Sequence, residues 1–131
     1  MRIAVLLACL TALGAVGCGG TDEQAAAPPP VADLTVTVDA DGDGAAQPRS
    51  ARVKCETVDA SKACQAADGI KAKTFEPVPG NVACTQQYGG PQTATVKGTL
   101  HGEAIDATFS RVNGCEIARW EDASGLLGAA G

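Results

Sequence analysis

Residues 93–109, TATVKGTLHGEAIDATF, contain two alternating runs on either side of a short turn. Thr93–Leu100 and Glu103–Phe109 place apolar or β-branched residues at every second position, which is the period of a strand with one buried face. His101 and Gly102 separate the two runs and suit a tight hairpin turn. This stretch predicts a β-hairpin, around which the rest of the chain is interpreted.

Three further segments have the same period of two. Residues 34–38, LTVTV, predict a first strand, and residues 52–56 predict a second. Residues 116–120 are a candidate fifth strand after the hairpin. Residues 59–69 predict a helix, with Asp59 placed to cap its first turn and Gly69 placed to end it. We therefore expect an α+β domain: a small antiparallel five-stranded sheet with one or two short helices.

Composition limits the class of protein. The chain has 131 residues, 16 glycines, 7 prolines and only 3% aromatic residues, which suits one small, loop-rich domain and excludes a large enzyme. The net charge of −5 argues against nucleic-acid binding, because nucleic-acid-binding surfaces concentrate Lys and Arg. His101 has no nucleophile in a catalytic context beside it, and Glu103 and Asp106 lie on opposite faces of a strand. We expect neither enzymatic activity nor a cofactor.

The first residues have the composition of an export signal. Residues 1–17 carry one charge and then an apolar run that is short for a membrane span of about 20 residues. Ala15–Cys18 resembles a bacterial lipobox, so we expect Cys18 to become a lipidated N-terminus that anchors an extracellular protein to the membrane. Secretion with a free Cys18 is the alternative. Residues 18–32 predict a disordered Ala/Pro-rich tether, residues 33–122 the folded domain, and residues 123–131 a flexible tail.

The cysteines predict a disulfide framework. Of six, Cys9 leaves with the leader and Cys18 is assigned to lipid. The remaining four are Cys55, Cys64, Cys84 and Cys115. In an oxidising compartment an even set reads as two disulfides, with three possible pairings. A metal site is disfavoured because none of the four is in C-x-x-C spacing and the chain has a single histidine.

An acidic motif follows the first predicted strand. Asp39, Asp41 and Asp43 match the first half of an EF-hand calcium loop, in which alternate residues supply oxygen ligands. The position of the closing glutamate holds Ser50, and no helices flank the motif. A solvated acidic turn is therefore the main interpretation. A calcium-responsive surface domain is kept as an alternative.

A series of short motifs over residues 34–120 resembles the Streptomyces subtilisin inhibitor family. The motifs, in order, are Leu34–Val38, Val53–Cys55, Ala63–Cys64, Cys84 with Tyr88 and Pro91, Thr95–Gly98 with Gly102, and Phe109 with Asn113–Cys115. The resemblance implies a secreted proteinaceous inhibitor of subtilisin-like serine proteases with an α+β fold. It also implies the disulfides Cys55–Cys64 and Cys84–Cys115. Relatives commonly pair through their sheets, which makes a homodimer a further expectation.

The resemblance also implies a reactive loop. Its scissile bond would be Gln86–Gln87, with Gln86 entering the primary specificity pocket of the protease. The loop residues are Ala83, Cys84, Thr85, Gln86, Gln87 and Tyr88. Asn113 would brace the loop with its amide. Two departures from the family are an extra residue at Gly89-Gly90 and a Phe109 that lies two residues earlier relative to Cys115. A non-inhibitory cell-surface binding module on the same scaffold is the second hypothesis.

Overall fold

A computed structural model describes residues 28–131, so the predicted leader 1–17, Cys18 and the tether as far as residue 27 lie outside the described residues. The described chain is a four-stranded antiparallel sheet with two α-helices and two disulfides. In chain order the elements are β1 (Ala32–Asp39), β2 (Arg49–Cys55), α1 (Lys62–Gly69), β3 (Thr93–Leu100), β4 (Glu103–Phe109) and α2 (Gly114–Leu127). Short 3₁₀ turns cover Val58–Ala60, Ala72–Phe75 and Gly128–Ala130.

The predicted hairpin is confirmed. β3 and β4 pair antiparallel with Leu100 opposite Glu103, so His101 and Gly102 form the two-residue turn. Both turn residues have positive φ, 50° and 82°. These are the signs that a type I′ turn requires, and the twist of this turn matches that of the flanking strands.

The sheet order is β2-β1-β3-β4, and one face of it forms the core. Val36 of β1 lies opposite Val96 of β3, and Val96 lies opposite Ala107 of β4. These side chains are buried because residues at alternate positions point to the same face of a strand. Phe75 from the second 3₁₀ turn packs edge-on against Phe109, with ring centroids 6.3 Å apart. Two of the four aromatic side chains therefore meet where β4 contacts the second 3₁₀ turn.

The opposite face of the sheet is polar. Ser50, Thr37, Thr95 and Thr108 form one row across all four strands, and the Ser50 and Thr37 hydroxyls are 2.8 Å apart. On the same face Arg52 binds both carboxylate oxygens of Asp33, at 2.9 and 2.8 Å, and this hydrogen-bonded guanidinium lowers the pKa of Asp33. Hydroxyl groups and ion pairs are suited to the solvent-exposed face of the sheet. The apolar side chains lie on the other face, which the helices cover.

The first helix starts later than predicted. Ser61, not Asp59, is its N-cap, and the Ser61 hydroxyl accepts a hydrogen bond from the Cys64 amide at 3.1 Å. Asp59 lies in the preceding 3₁₀ turn. The end at Gly69 agrees with the prediction. Cys64 and Ala67 are buried, so the helix packs against the sheet through its small side chains.

The predicted fifth strand is wrong, because residues 116–120 belong to α2. The Asn113 side chain caps this helix by accepting a hydrogen bond from the Glu116 amide at 3.0 Å. Apolar residues at 117, 120, 123 and 126–127 recur every three or four positions, which is the period of a helix. The five-residue window 116–120 was too short to separate this period from a period of two.

The ends of the folded domain also differ from the prediction. Ala32, expected in the tether, begins β1 between Cys55 and Leu100 and has no exposed surface. The loose tail expected at 123–131 is instead the second half of α2 and a 3₁₀ turn. Four of its residues lie in the core, namely Ala123, Leu126, Leu127 and Ala130. Apolar burial explains why this segment is ordered.

Arg119 joins three elements beneath α2. Its side chain is 12% exposed; Nε donates to the Thr74 carbonyl at 3.2 Å and Nη2 donates to the Thr108 carbonyl at 3.3 Å. Its guanidinium carbon lies 4.9 Å from the centre of the Phe109 ring, and Nη1 pairs with Glu116 at 2.6 Å. The long side chain therefore fixes the rotation of α2 on β4 through both its stem and its charge.

Replacing Leu126 by Ala tests the role of the C-terminal segment. Leu126 is 1% exposed, so the variant should lose about 2–5 kcal/mol in the free energy of unfolding, measured by urea denaturation. Ser124→Ala, on the exposed side of the same helix, is the control and should change stability by less than about 0.5 kcal/mol. Equal, small effects for both variants would contradict the burial described above.

Candidate reactive loop

The segment between the second 3₁₀ turn and β3 has no regular secondary structure and is attached to α2 by a disulfide. Cys84 bonds to Cys115 in the first turn of α2, and Cys55 bonds to Cys64. Both pairings implied by the family resemblance are therefore confirmed. On the loop-entropy model, the two bridges, with sequence separations of 9 and 31, stabilise the fold by about 3 and about 4 kcal/mol.

The two bridges differ in location. Cys55 and Cys64 are 0% and 2% exposed and belong to the core between β2 and α1. Cys84 and Cys115 are only partly buried and lie at the surface beside the loop. The Cys55–Cys64 bridge therefore stabilises the core, whereas the Cys84–Cys115 bridge fixes the loop to α2.

A main-chain hydrogen bond holds the loop just before the predicted scissile bond. The Gly114 amide, at the first position of α2, donates to the Thr85 carbonyl at 3.0 Å. A β-carbon on Gly114 would overlap the Thr85 hydroxyl oxygen. Glycine is a poor helix former, and its presence here is explained by the close approach of Thr85 to the helix.

A second set of contacts holds the loop just after that bond. The Gly89 amide donates to the Arg111 carbonyl at 2.7 Å. A β-carbon on Gly89 would lie 2.8 and 2.9 Å from two carbons of the Ile117 side chain on α2, closer than van der Waals contact permits. The Arg111 guanidinium donates to the Gln92 side-chain oxygen at 3.3 Å and lies 5.9 Å from the centre of the Trp120 ring.

The two sets of contacts frame a short exposed span. Gln86, Gln87 and Tyr88 lie between them and are exposed, with Tyr88 at 65%. Thr85 and Ala83 are also exposed, and Cys84 is partly buried by its disulfide. The structure thus brings all six predicted loop residues onto one surface segment, with the Gln86–Gln87 peptide between two fixed points.

Exposed apolar side chains also concentrate here. Over residues 28–131 the large hydrophobic side chains that remain exposed are Val82, Tyr88 and Val112. Val82 and Tyr88 lie on the loop, and Val112 lies on the segment that binds it. A groove of about 440 Å³ between the loop entry and α2, whose walls include Pro77, Val82, Cys115 and Ala118, adjoins this surface. Charged residues also line the groove, namely Lys71, Lys73, Glu76, Arg119 and Asp122, so its walls are mixed in character.

Asn113 has a different role from the one predicted. Its side-chain oxygen caps α2, and the neighbouring Gly114 main chain is the group that contacts the loop. Sequence reasoning missed Gly89, Arg111, Gln92 and Gly114 as loop contacts. The only signal for these contacts in the sequence is Gly114, which follows the helix-capping Asn113. Its partner Thr85 cannot be identified without the tertiary structure.

The acidic motif forms a turn in which its carboxylates accept main-chain hydrogen bonds, while Asp41 Oδ1 is buried without a hydrogen-bond partner. Asp39 accepts hydrogen bonds from the amides of Asp41, Gly42 and Gly44 at 3.2, 3.1 and 3.0 Å. Asp41 and Asp43 likewise accept from the amides of Ala46 and Ala45. Interaction between the neighbouring Asp39 and Asp41 carboxyl groups lowers the pKa of Asp39 and raises that of Asp41. Over residues 28–131, no group of three or more His, Cys, Asp or Glu side chains has the arrangement of a metal site.

The contact between Gly114 and Thr85 can be tested by a double-mutant cycle. Gly114→Ala should lower the free energy of unfolding by about 1–3 kcal/mol, because its β-carbon overlaps Thr85. Adding Thr85→Ala removes the overlapping hydroxyl and should restore most of that loss, as measured by urea denaturation. Gly69→Ala is the control, since a β-carbon there meets no atom within 4 Å. Additive effects of the two changes would show that the residues do not interact.

Comparison with protein-family models, with curated proteins and with solved structures finds no match to this chain. Within residues 28–131, no helix has the length and apolar character needed to span a bilayer.

Proposed function

We propose that this protein inhibits subtilisin-like serine proteases by presenting the Gln86–Gln87 bond on a braced loop. The observation that carries the proposal is the pair of main-chain hydrogen bonds at Thr85 and Gly89, which fix the chain on both sides of that bond. A substrate loop must be flexible enough to release its products. A loop fixed at both ends is already in a single conformation, so binding costs less conformational entropy.

The residues before the bond would dock as an added strand. Ala83, Cys84 and Thr85 lie on the exposed loop, and their main chain would pair with the edge of the protease cleft. Gln86 would occupy the primary specificity pocket. An uncharged polar side chain of this size suits a broad, shallow pocket better than one that requires Arg or Lys, which favours subtilisin-like enzymes.

Inhibition would result from failed release of the leaving group. Attack of the protease serine on the Gln86 carbonyl gives an acyl-enzyme and frees the amine of Gln87. That amine stays close, because Gly89 remains bound to Arg111 and Cys84 remains bonded to Cys115. The amine then attacks the ester carbonyl and re-forms the peptide bond. Cleavage is slow overall because the reverse step competes with entry of water.

The location follows from the same proposal. Two disulfides are typical of proteins outside the cytoplasm, where subtilisin-like proteases are encountered. Lipidation of Cys18 would anchor the inhibitor to the membrane, with the residues up to β1 as a spacer. The homodimer implied by the resemblance remains a prediction. The outer face of the sheet consists mainly of polar side chains, so such a dimer would bury little apolar surface there.

Titration of subtilisin with the purified, disulfide-bonded protein tests the proposal. We expect stoichiometric inhibition and, by mass spectrometry over time, slow cleavage at Gln86–Gln87 alone. A protein that stays whole and unbound, or that is degraded at many sites, would contradict the proposal. The former result would favour the alternative of a non-inhibitory cell-surface binding module.

Removing the Cys84–Cys115 disulfide distinguishes its effect on the position of the loop from its effect on global stability. A Cys84→Ala/Cys115→Ala variant should be cleaved at Gln86–Gln87 about a hundredfold faster than the parent, because the acyl group and the amine can separate. Cys55→Ala/Cys64→Ala is the matched control; assayed below its melting temperature, it should retain inhibition despite lower stability. Equal loss of inhibition in both variants would mean that the disulfides act only through global stability.

A further inference from the structure

We infer that Arg111 is a positioning residue that holds the leaving-amine side of the reactive bond, an inference that rests on the proposed inhibitory function. Two of its groups make three contacts: the main-chain carbonyl accepts from the Gly89 amide, and the guanidinium both donates to Gln92 and lies 5.9 Å from the centre of the Trp120 ring. Gly89 and Gln92 are both on the loop, and Trp120 is on α2. Arg111 therefore attaches the loop exit, the part of the loop from Gly89 to Gln92, to α2, and we call these contacts the clamp.

The loop exit requires such a clamp because no covalent bond holds it. Cys84 lies before the scissile bond, so the disulfide fixes the acyl side of the loop. After cleavage the new amine at Gln87 belongs to the segment that runs through Gly89 and Gly90 to β3. Two adjacent glycines make that segment intrinsically mobile, and Gly90 has a φ of 130° that other residues rarely adopt. The hydrogen bond from Gly89 to Arg111 is the first fixed point after the amine.

The glycines also create the space that the clamp needs. A β-carbon on Gly90 would overlap the side-chain oxygen of Gln92, which is the atom that accepts from Arg111. A β-carbon on Gly89 would lie 3.2 Å from the β-carbon of Arg111. The Gly-Gly pair and Arg111 therefore fit each other.

The fold itself gains little from this arginine. Its Nε is buried without a hydrogen-bond partner, and an unpaired buried donor is destabilising. Replacing Arg111 by Met keeps a long side chain at this position and removes the guanidinium, with its contacts to Gln92 and Trp120. This variant should therefore fold with a melting temperature close to that of the parent, which leaves the effect on the loop to be measured separately.

The test measures the loop with and without protease. Arg111→Met keeps the main-chain carbonyl that binds Gly89 but removes the side-chain contact with Gln92. The Gly89 hydrogen bond should therefore open more often, and hydrogen exchange at this amide should accelerate about tenfold. In the complex with subtilisin, net cleavage at Gln86–Gln87 should rise by about the same factor, and the equilibrium should shift from intact toward cleaved inhibitor. Arg49→Met, an exposed arginine on β2, is the control and should change none of these quantities.

A second variant should act in the opposite direction. Gln92→Glu places a carboxylate opposite the guanidinium, so exchange at Gly89 and cleavage should both slow, and this gain should vanish when Arg111→Met is added. Unchanged exchange and cleavage in Arg111→Met would overturn the inference. Arg111→Met could accelerate exchange at Gly89 while the parent protein neither inhibits subtilisin nor is cleaved at Gln86–Gln87. That result would support the clamp and refute the proposed function.

Discussion

The disulfide between Cys84 and Cys115 is the constraint on which the loop depends, because it attaches an irregular segment to the first turn of a helix. α2 is itself fixed to the domain by Leu126 and Leu127 in the core and by the Arg119 contacts with Thr74 and Thr108. The loop makes no strand pairing before β3 begins. Its position relative to the sheet is therefore determined through α2, and the rigidity of the loop can be no greater than that of the helix packing.

The two arms of the loop are held by different physical means. The acyl side has a covalent bond and the Gly114 amide, so its position survives cleavage of the peptide. The amine side has one main-chain hydrogen bond and the Arg111 side chain. Hydrogen bonds at a surface compete with water and are individually weak, so the amine side is the less firmly held of the two arms. In the proposed inhibitory mechanism, resealing of the bond would therefore be lost most easily through this arm.

Much of the fold could be predicted from the sequence, because hairpin and strand signals are local. The alternation in residues 93–109 and the His101-Gly102 turn specify β3 and β4 without reference to the rest of the chain. The disulfide pairing needed the family resemblance, since the spacing left three pairings open. α2 was missed because its β-like start at 116–120 was interpreted alone. The buried residues that continue its period, at 123 and 126–127, had been assigned to a tail.

The loop contacts could not be predicted for a different reason. Gly89 meets Arg111, and Thr85 meets Gly114, across more than twenty intervening residues in each case, and none of these residues belongs to a pattern with a period. Glycine at a helix start or in a loop has many explanations, and only the tertiary structure shows that a neighbouring side chain occupies the missing β-carbon position. The rotation of α2 matters to both arms, because it presents Gly114 to Thr85 and Ile117 to Gly89, while Ala123 and Leu126 face the core. A substitution that rotates the helix would consequently misplace both arms of the loop at once, even though the substituted residue touches neither.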